Sequence, residues 1–126
     1  MAQDNLSVPS RKSFEDLKKL NPHGAEFWTA RELQPLLGYK QWRGFENAIK
    51  KAVTSCGKSD NDPGYHFAGA GKMIPVGKGG VRQVNDYLLS RFACYLIAQN
   101  GDPRIAEIAE ARLKQRNSVT AMFPVR

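Results

Sequence analysis

Residues 29–55, TARELQPLLGYKQWRGFENAIKKAVTS, decide how this chain is read. Thr29 and Glu32 stand three apart, the spacing of a capping box. In that motif the hydroxyl accepts from the amide three residues on, and the carboxylate reaches back. A helix over residues 30–37 is predicted to follow, with Leu33, Leu36 and Leu37 inward. Pro35 limits it to about two turns, and Gly38 suits the position just past its end. After the short turn through Tyr39 and Lys40, a second helix is predicted over residues 41–55. Trp42, Phe45, Ile49, Ala52 and Val53 mark its apolar stripe at helical spacing. Two helices joined by a glycine-containing turn have the form of a helix-turn-helix, whose second helix can enter a major groove.

On that second helix the stripe leaves Arg43, Asn47, Lys50, Lys51 and Thr54 outward. Arginine pairs bidentately with guanine and asparagine with adenine, whereas lysine chiefly neutralises phosphate. Glu46 is also expected outward, where it would repel phosphate or accept from cytosine. Trp42 and Trp28 could stack on bases, but their apolar spacing assigns them to the core.

Working outward, residues 1–12 lack periodicity and are expected to form a mobile arm. Ser13 is placed to cap a short helix over residues 14–20 with Phe14, Leu17 and Leu20 on one face. Asn21-Pro22-His23-Gly24 ends it as a turn, and Ala25 to Trp28 is β-prone. Residues 57–64 read as a polar loop. Lys72-Met-Ile-Pro-Val76 and Val81-Arg-Gln-Val-Asn-Asp-Tyr87 flank Gly77-Lys78-Gly79-Gly80, which predicts a hairpin with Pro75 on an edge strand. Its Lys72, Lys78 and Arg82 make a second basic element.

Ser90 can cap a helix over residues 91–100 whose apolar run, 92–98, should make it the most buried one. Asp102 and Pro103 then open a final helix to about Gln115, with Ile105, Ile108, Ala109 and Leu113 inward. The fold class expected is α+β: a helix-turn-helix-like pair, a β-hairpin and two C-terminal helices. The division expected is an arm over 1–12, a domain over 13–116 and a tail over 117–126. Val119, Met122 and Phe123 could add an apolar patch there for a homodimer.

Composition narrows the function. The chain has 126 residues with 19 Lys and Arg against 12 Asp and Glu, a net charge of +7. Its pI near 9.7 favours a polyanionic partner, most often nucleic acid and sometimes an anionic membrane surface. Mean hydropathy of -0.50 and the lack of a long apolar run exclude a transmembrane helix. The first twenty residues hold no secretory apolar core, so the expected location is cytoplasmic. Cys56 and Cys94 are too few for a disulfide framework. Cys56, Cys94, His23 and His66 lack metal-ligand spacing, so no metal or other cofactor is expected.

Enzymatic readings fail on residue type. Gly69-Ala-Gly-Lys72 would need Gly at His66 and Ser or Thr at Met73 to be a phosphate loop. Asp60-Asn61-Asp62 would need Glu at Gly71 to open a calcium loop. Cys56 and His66 have no third orienting group. The scattered carboxylates do not suit a metal nuclease. The expectation is a protein that is not an enzyme.

Three blocks carry a family resemblance: SFEDLKKL from Ser13, EFWTARELQPLLGYKQWRGFENAIKKA from Glu26, and DYLLSRFACYLIAQNGDPR from Asp86. They resemble the DNA-damage-inducible protein D family, a bacterial branch of the Bro-N domain group, over about residues 13–110. The resemblance implies an α+β DNA-binding-type domain like those at the N-terminus of phage antirepressors. It implies a link to the bacterial damage response, with a RecA-type recombinase or a phage repressor as further partners, and it brings no catalytic residues. Together these readings assign DNA contact to Lys40, Arg43, Asn47, Lys50, Lys51, Lys72, Lys78 and Arg82. The alternative is a protein-interaction module whose basic face meets a recombinase filament or a repressor.

Overall fold

Ser13 Oγ accepts from the Asp16 amide while the Asp16 carboxylate accepts from the Ser13 amide, at 3.2 and 3.0 Å. The expected cap is present, but it closes one 3-10 turn, Glu15–Leu17, and not a helix to residue 20. Trp28 explains the early stop. Its indole Nε1 donates to the Phe14 carbonyl at 2.8 Å, and its ring stacks on Phe14 at 4.2 Å. The chain then turns extended at Lys18, and Lys19–Leu20 forms strand β1, leaving Leu20 64% exposed. The computed structural model describes residues 13–114, so the expected arm and tail, with Val119, Met122 and Phe123, lie outside the described residues.

Asn21 Oδ1 accepts from the amides of His23 and Ala25, and Gly24 supplies a φ of +85°. This turn leads into β2, Glu26–Thr29, which pairs antiparallel with β1. Helix α1, Ala30–Leu36, begins at Thr29, but the capping box does not form. Thr29 is still a sheet residue, paired with Leu88, and its side chain caps nothing. Asp86, from the strand on the other side, accepts from the Arg31 amide at 3.0 Å instead. Glu32 turns to Lys19 Nζ at 2.9 Å. Leu33, Leu36 and Leu37 are buried as expected, and Gly38 leaves the helix at φ +92°.

Helix α2, Trp42–Lys58, runs three residues past its predicted end because Cys56 adds another buried position. The expected loop over 57–64 is therefore shorter. Asp62 Oδ1 accepts from the Gly64 amide and starts a single turn, α3, Pro63–His66. Strands β3, Phe67–Val76, and β4, Gly80–Leu89, pair from Phe67 with Leu89 to Val76 with Gly80. The predicted hairpin is present and longer, its turn carried by Gly77 and Gly79 at φ +54° and +81°. The antiparallel sheet has the order β1-β2-β4-β3, which puts Pro75 on an edge strand.

Ser90 Oγ accepts from the Ala93 amide and caps α4, Arg91–Asn100. Residues 102–105 form a turn, so the last helix, α5, starts later than expected, at Ala106–Lys114. Phe27 and Arg31 stay half-buried, while Phe14, Trp28, Leu33, Phe45, Ile49, Leu89 and Ile97 fill the core between sheet and helices. Two expected core residues stand outside it: Phe92 is 38% exposed, packed on His66, and Ile108 is 50% exposed. Both lie on the solvent side of helices whose opposite faces already fill the available space, with Ala93 and Ile97 on α4 and Ala109 and Leu113 on α5. Cys94 is buried and reduced, and burial pushes its thiol pKa up.

Arg91 fastens the N-terminal turn to the sheet. Its guanidinium donates to Glu26 through Nε at 2.8 Å and to Glu15 through Nη1 at 2.8 Å, and it lies 5.1 Å from the Trp28 ring centre. These bonds hold both carboxyls below their ordinary value of 4.5. Such groups stabilise the fold above that value, and the contribution is lost as pH falls through the lower folded values. Denaturant titrations of wild type and Arg91→Met from pH 7 to pH 2 should therefore show a shallower acid loss in the variant below 4.5. Superimposable profiles would remove this cluster from the stability of the fold.

Candidate nucleic-acid interface

At 100° per residue, Lys50, Arg43, Thr54, Asn47, Lys58 and Lys51 fall within an arc of about 100° on α2. All six are exposed, and no acidic residue interrupts them. Lys58 belongs to this arc but was hidden by ending the helix at Ser55. Lys40 is exposed in the turn just before α2. None of Lys40, Arg43, Lys50 or Lys51 is in an ion pair among the described residues.

Glu46 corrects the reading of this helix. It is half-buried and accepts from Tyr87 Oη at 2.8 Å and from Asn85 Nδ2 at 3.4 Å. It therefore fastens α2 to the base of the hairpin, and its bonded oxygen is engaged there and not presented to a base, although its charge remains. Burial and the Glu46 carboxylate together push the Tyr87 hydroxyl up to about 12. Beside this bond, Trp42 stacks on Tyr87, and the Arg31 guanidinium sits 3.8 Å from a Trp42 ring centre. Trp42 is thus half-buried between two partners, and Trp28 is fully buried, so neither offers a free stacking face.

Asp86 sets the hairpin's direction. It is 6% exposed, and its Oδ1 accepts from the amides of Arg31 and Tyr87 at 3.0 and 2.8 Å. Arg31 Nε adds a bond to the Asn85 carbonyl at 2.8 Å. Beyond this anchor the ribbon is open to water: Met73 is 59% and Val81 64% exposed. Lys72 pairs with Val84 and Arg82 with Ile74, so by strand alternation they share one face, opposite Tyr87 and Asn85. Lys78 stands at the tip. The eight predicted contact residues are therefore all exposed but form two groups. Lys40, Arg43, Asn47, Lys50 and Lys51 lie on or beside α2, while Lys72, Lys78 and Arg82 lie on the hairpin, with the Glu46–Tyr87 bond and Trp42 between them.

The α2 group borders a cleft of about 700 Å³ facing residues 101–105. Lys40, Asn47 and Lys51 line one side, and Arg104 and Asp102 line the other. The floor is fastened by Tyr39, whose hydroxyl accepts from the Asp102 amide at 2.8 Å. A side chain at position 101 would collide with that hydroxyl, which explains Gly101 there. Arg104 was not legible as part of this surface, because it is 46 residues beyond the end of α2 and only tertiary packing brings it there. A separate apolar depression of about 500 Å³, lined by Leu20, Phe27, Tyr65 and Leu88, lies against the sheet.

Among the described residues, no group of three or more His, Cys, Asp and Glu is placed to hold a metal ion. Cys56 is fully buried, and His66 Nδ1 is engaged with Ser90 Oγ at 2.7 Å. No helix of the described residues is long and apolar enough to cross a membrane.

Residues 16–117 match the model of the BRO family, N-terminal domain. The chain is also similar to the DNA damage-inducible protein D of Escherichia coli (strain K12), with 42% identity over 96 residues. That alignment covers 76% of this chain and 35% of the relative, so the chain spans about a third of the relative's length. No solved structure matches it.

Replacing Asp86 with Ala strips an acceptor from two amides at the joint between α1 and the hairpin. Chemical denaturation should show a loss of about 1–3 kcal/mol, and Asp86→Asn, which keeps a side-chain oxygen, should recover much of it. A loss below about 0.5 kcal/mol for the alanine variant would mean that the joint does not depend on this carboxylate.

Proposed function

The chain belongs to the BRO family through its N-terminal domain, and from that membership we propose that it is the DNA-binding module of a damage-response or mobile-element regulator. The observation that carries the proposal is the uninterrupted basic arc of α2, whose cations form no ion pair among the described residues. Lys50, Lys51 and Lys40 neutralise phosphates, while Arg43 and Asn47 are the side chains of the arc whose chemistry suits base edges. The hairpin is a second contact: a two-stranded ribbon fits a major groove, and a basic glycine-rich tip suits a phosphate backbone. The link to DNA damage rests on the name of the similar Escherichia coli protein. No catalytic step is assigned to any residue.

A second reading, an adaptor for a recombinase filament or a repressor, is favoured by the apolar depression at Leu20, Tyr65 and Leu88. Salt separates the two. Binding through phosphates should weaken with a log-log slope of about -0.9 per neutralised phosphate on duplex DNA. The paired change Lys50→Ala and Lys51→Ala should lower affinity for all sequences alike and flatten that slope by up to about 2. Arg43→Ala should instead cost about 1–3 kcal/mol at a preferred site only. Fluorescence anisotropy with labelled duplexes across a salt series measures all three. Failure of the wild type to bind any duplex at low salt would overturn the DNA reading in favour of the adaptor.

A further inference from the structure

Arg104 is 87% exposed, yet it spends its guanidinium on the neighbouring carboxylate of Asp102. Nη2 reaches Oδ2 at 2.8 Å, and Nε lies 3.1 and 3.2 Å from the two oxygens. The same carboxylate accepts from the Arg104 amide at 2.9 Å. This fork-to-fork pairing faces the cleft that Lys40, Asn47 and Lys51 line from the α2 side. Among the lining residues there are three cations and one carboxylate, so the cleft is net positive although Arg104 is occupied. Lys51 is close enough to help hold the Asp102 carboxyl below the usual carboxylate range, after the larger effect of Arg104.

We propose that this cleft seats a backbone phosphate of duplex DNA, and that Asp102 is the built-in competitor that Arg104 releases when the phosphate arrives. A guanidinium that matches two carboxylate oxygens also matches two oxygens of a phosphodiester, with the same bidentate geometry. The exchange costs little, because an ion pair this exposed contributes little on its own. The cleft is continuous with the basic arc through Asn47 and Lys51, so a strand lying along α2 would bring its next phosphates there. Its floor is fixed by the Tyr39–Asp102 bond, which keeps the 101–105 turn at a set distance from α2. The inference rests on the DNA-binding reading and adds to it a residue and a regulating contact.

Asp102→Asn tests it, since asparagine keeps the oxygen that accepts from the Arg104 amide and loses the charge. On a labelled duplex at low salt this variant should bind about 2- to 5-fold more tightly than wild type. Arg104→Ala should bind more weakly, with a salt slope flatter by about 0.9. The double variant should show no gain from Asp102→Asn beyond the removal of one negative charge, a smaller effect than in the presence of Arg104. Thermal melting of each variant checks that the turn stays folded. The seat is overturned if wild type binds duplex DNA but Arg104→Ala leaves affinity and slope unchanged. It is also overturned if Asp102→Asn gains as much without Arg104 as with it. Absence of wild-type binding is a different result, and it removes the DNA reading itself.

Discussion

A carboxylate almost sealed from water holds this domain's two halves together. Asp86 lies on β4, and its one oxygen satisfies the Arg31 amide at the start of α1 and the Tyr87 amide beside it. The first turn of a helix has amides with no partner inside the helix, and a buried orphan amide is costly. Meeting that need from the hairpin makes the start of α1 and the direction of the ribbon a single geometric fact. Arg31 then bonds the Asn85 carbonyl and lies over Trp42, and Glu46 takes the Tyr87 hydroxyl. The helix pair and the ribbon therefore share a joint built on residues 31, 42, 46 and 85–87.

The same economy shapes the surface charge. Glu15 and Glu26 are taken by Arg91, Glu32 by Lys19, Glu46 by Tyr87, and Asp62 and Asp86 by backbone amides. Acidic side chains are thus largely spent on internal joints, while the bases of α2 and of the ribbon have no ion-pair partner among the described residues. The exposed cations of α2 and of the ribbon are therefore where a polyanion could meet the described residues. Arg104 departs from this pattern, and its pairing with Asp102 reads as a held cation next to the free ones.

Periodicity and turn chemistry made much of this legible in the sequence. Phe45, Ile49 and Ala52 reveal α2, Ser90 reveals the start of α4, and the glycines between Val76 and Val81 reveal the hairpin, because each signal is local. Several misses are cases in which a distant partner outbid a local one. Thr29 and Glu32 have the spacing of a capping box, but Thr29 is held in the sheet and Asp86 supplies the cap. Phe14 to Leu20 has helical spacing, but the Trp28 indole takes the Phe14 carbonyl. Glu46 lies near the edge of an outward arc on a helical wheel, yet the wheel cannot show that Tyr87 stands beside it. Arg104 joins the cleft only because Tyr39 brings the 101–105 turn against α2.

The most direct measurement is the amide spectrum of the nitrogen-15-labelled protein titrated with a short DNA duplex at low salt. Shifts should concentrate at residues 40–51 on α2 and the turn before it, at 72–84 on the ribbon, and at 101–105. The amides around Leu20, Tyr65 and Leu88 should stay in place. Shifts confined to that apolar depression, or a spectrum unmoved by saturating duplex, would contradict the assignment of the basic faces to DNA.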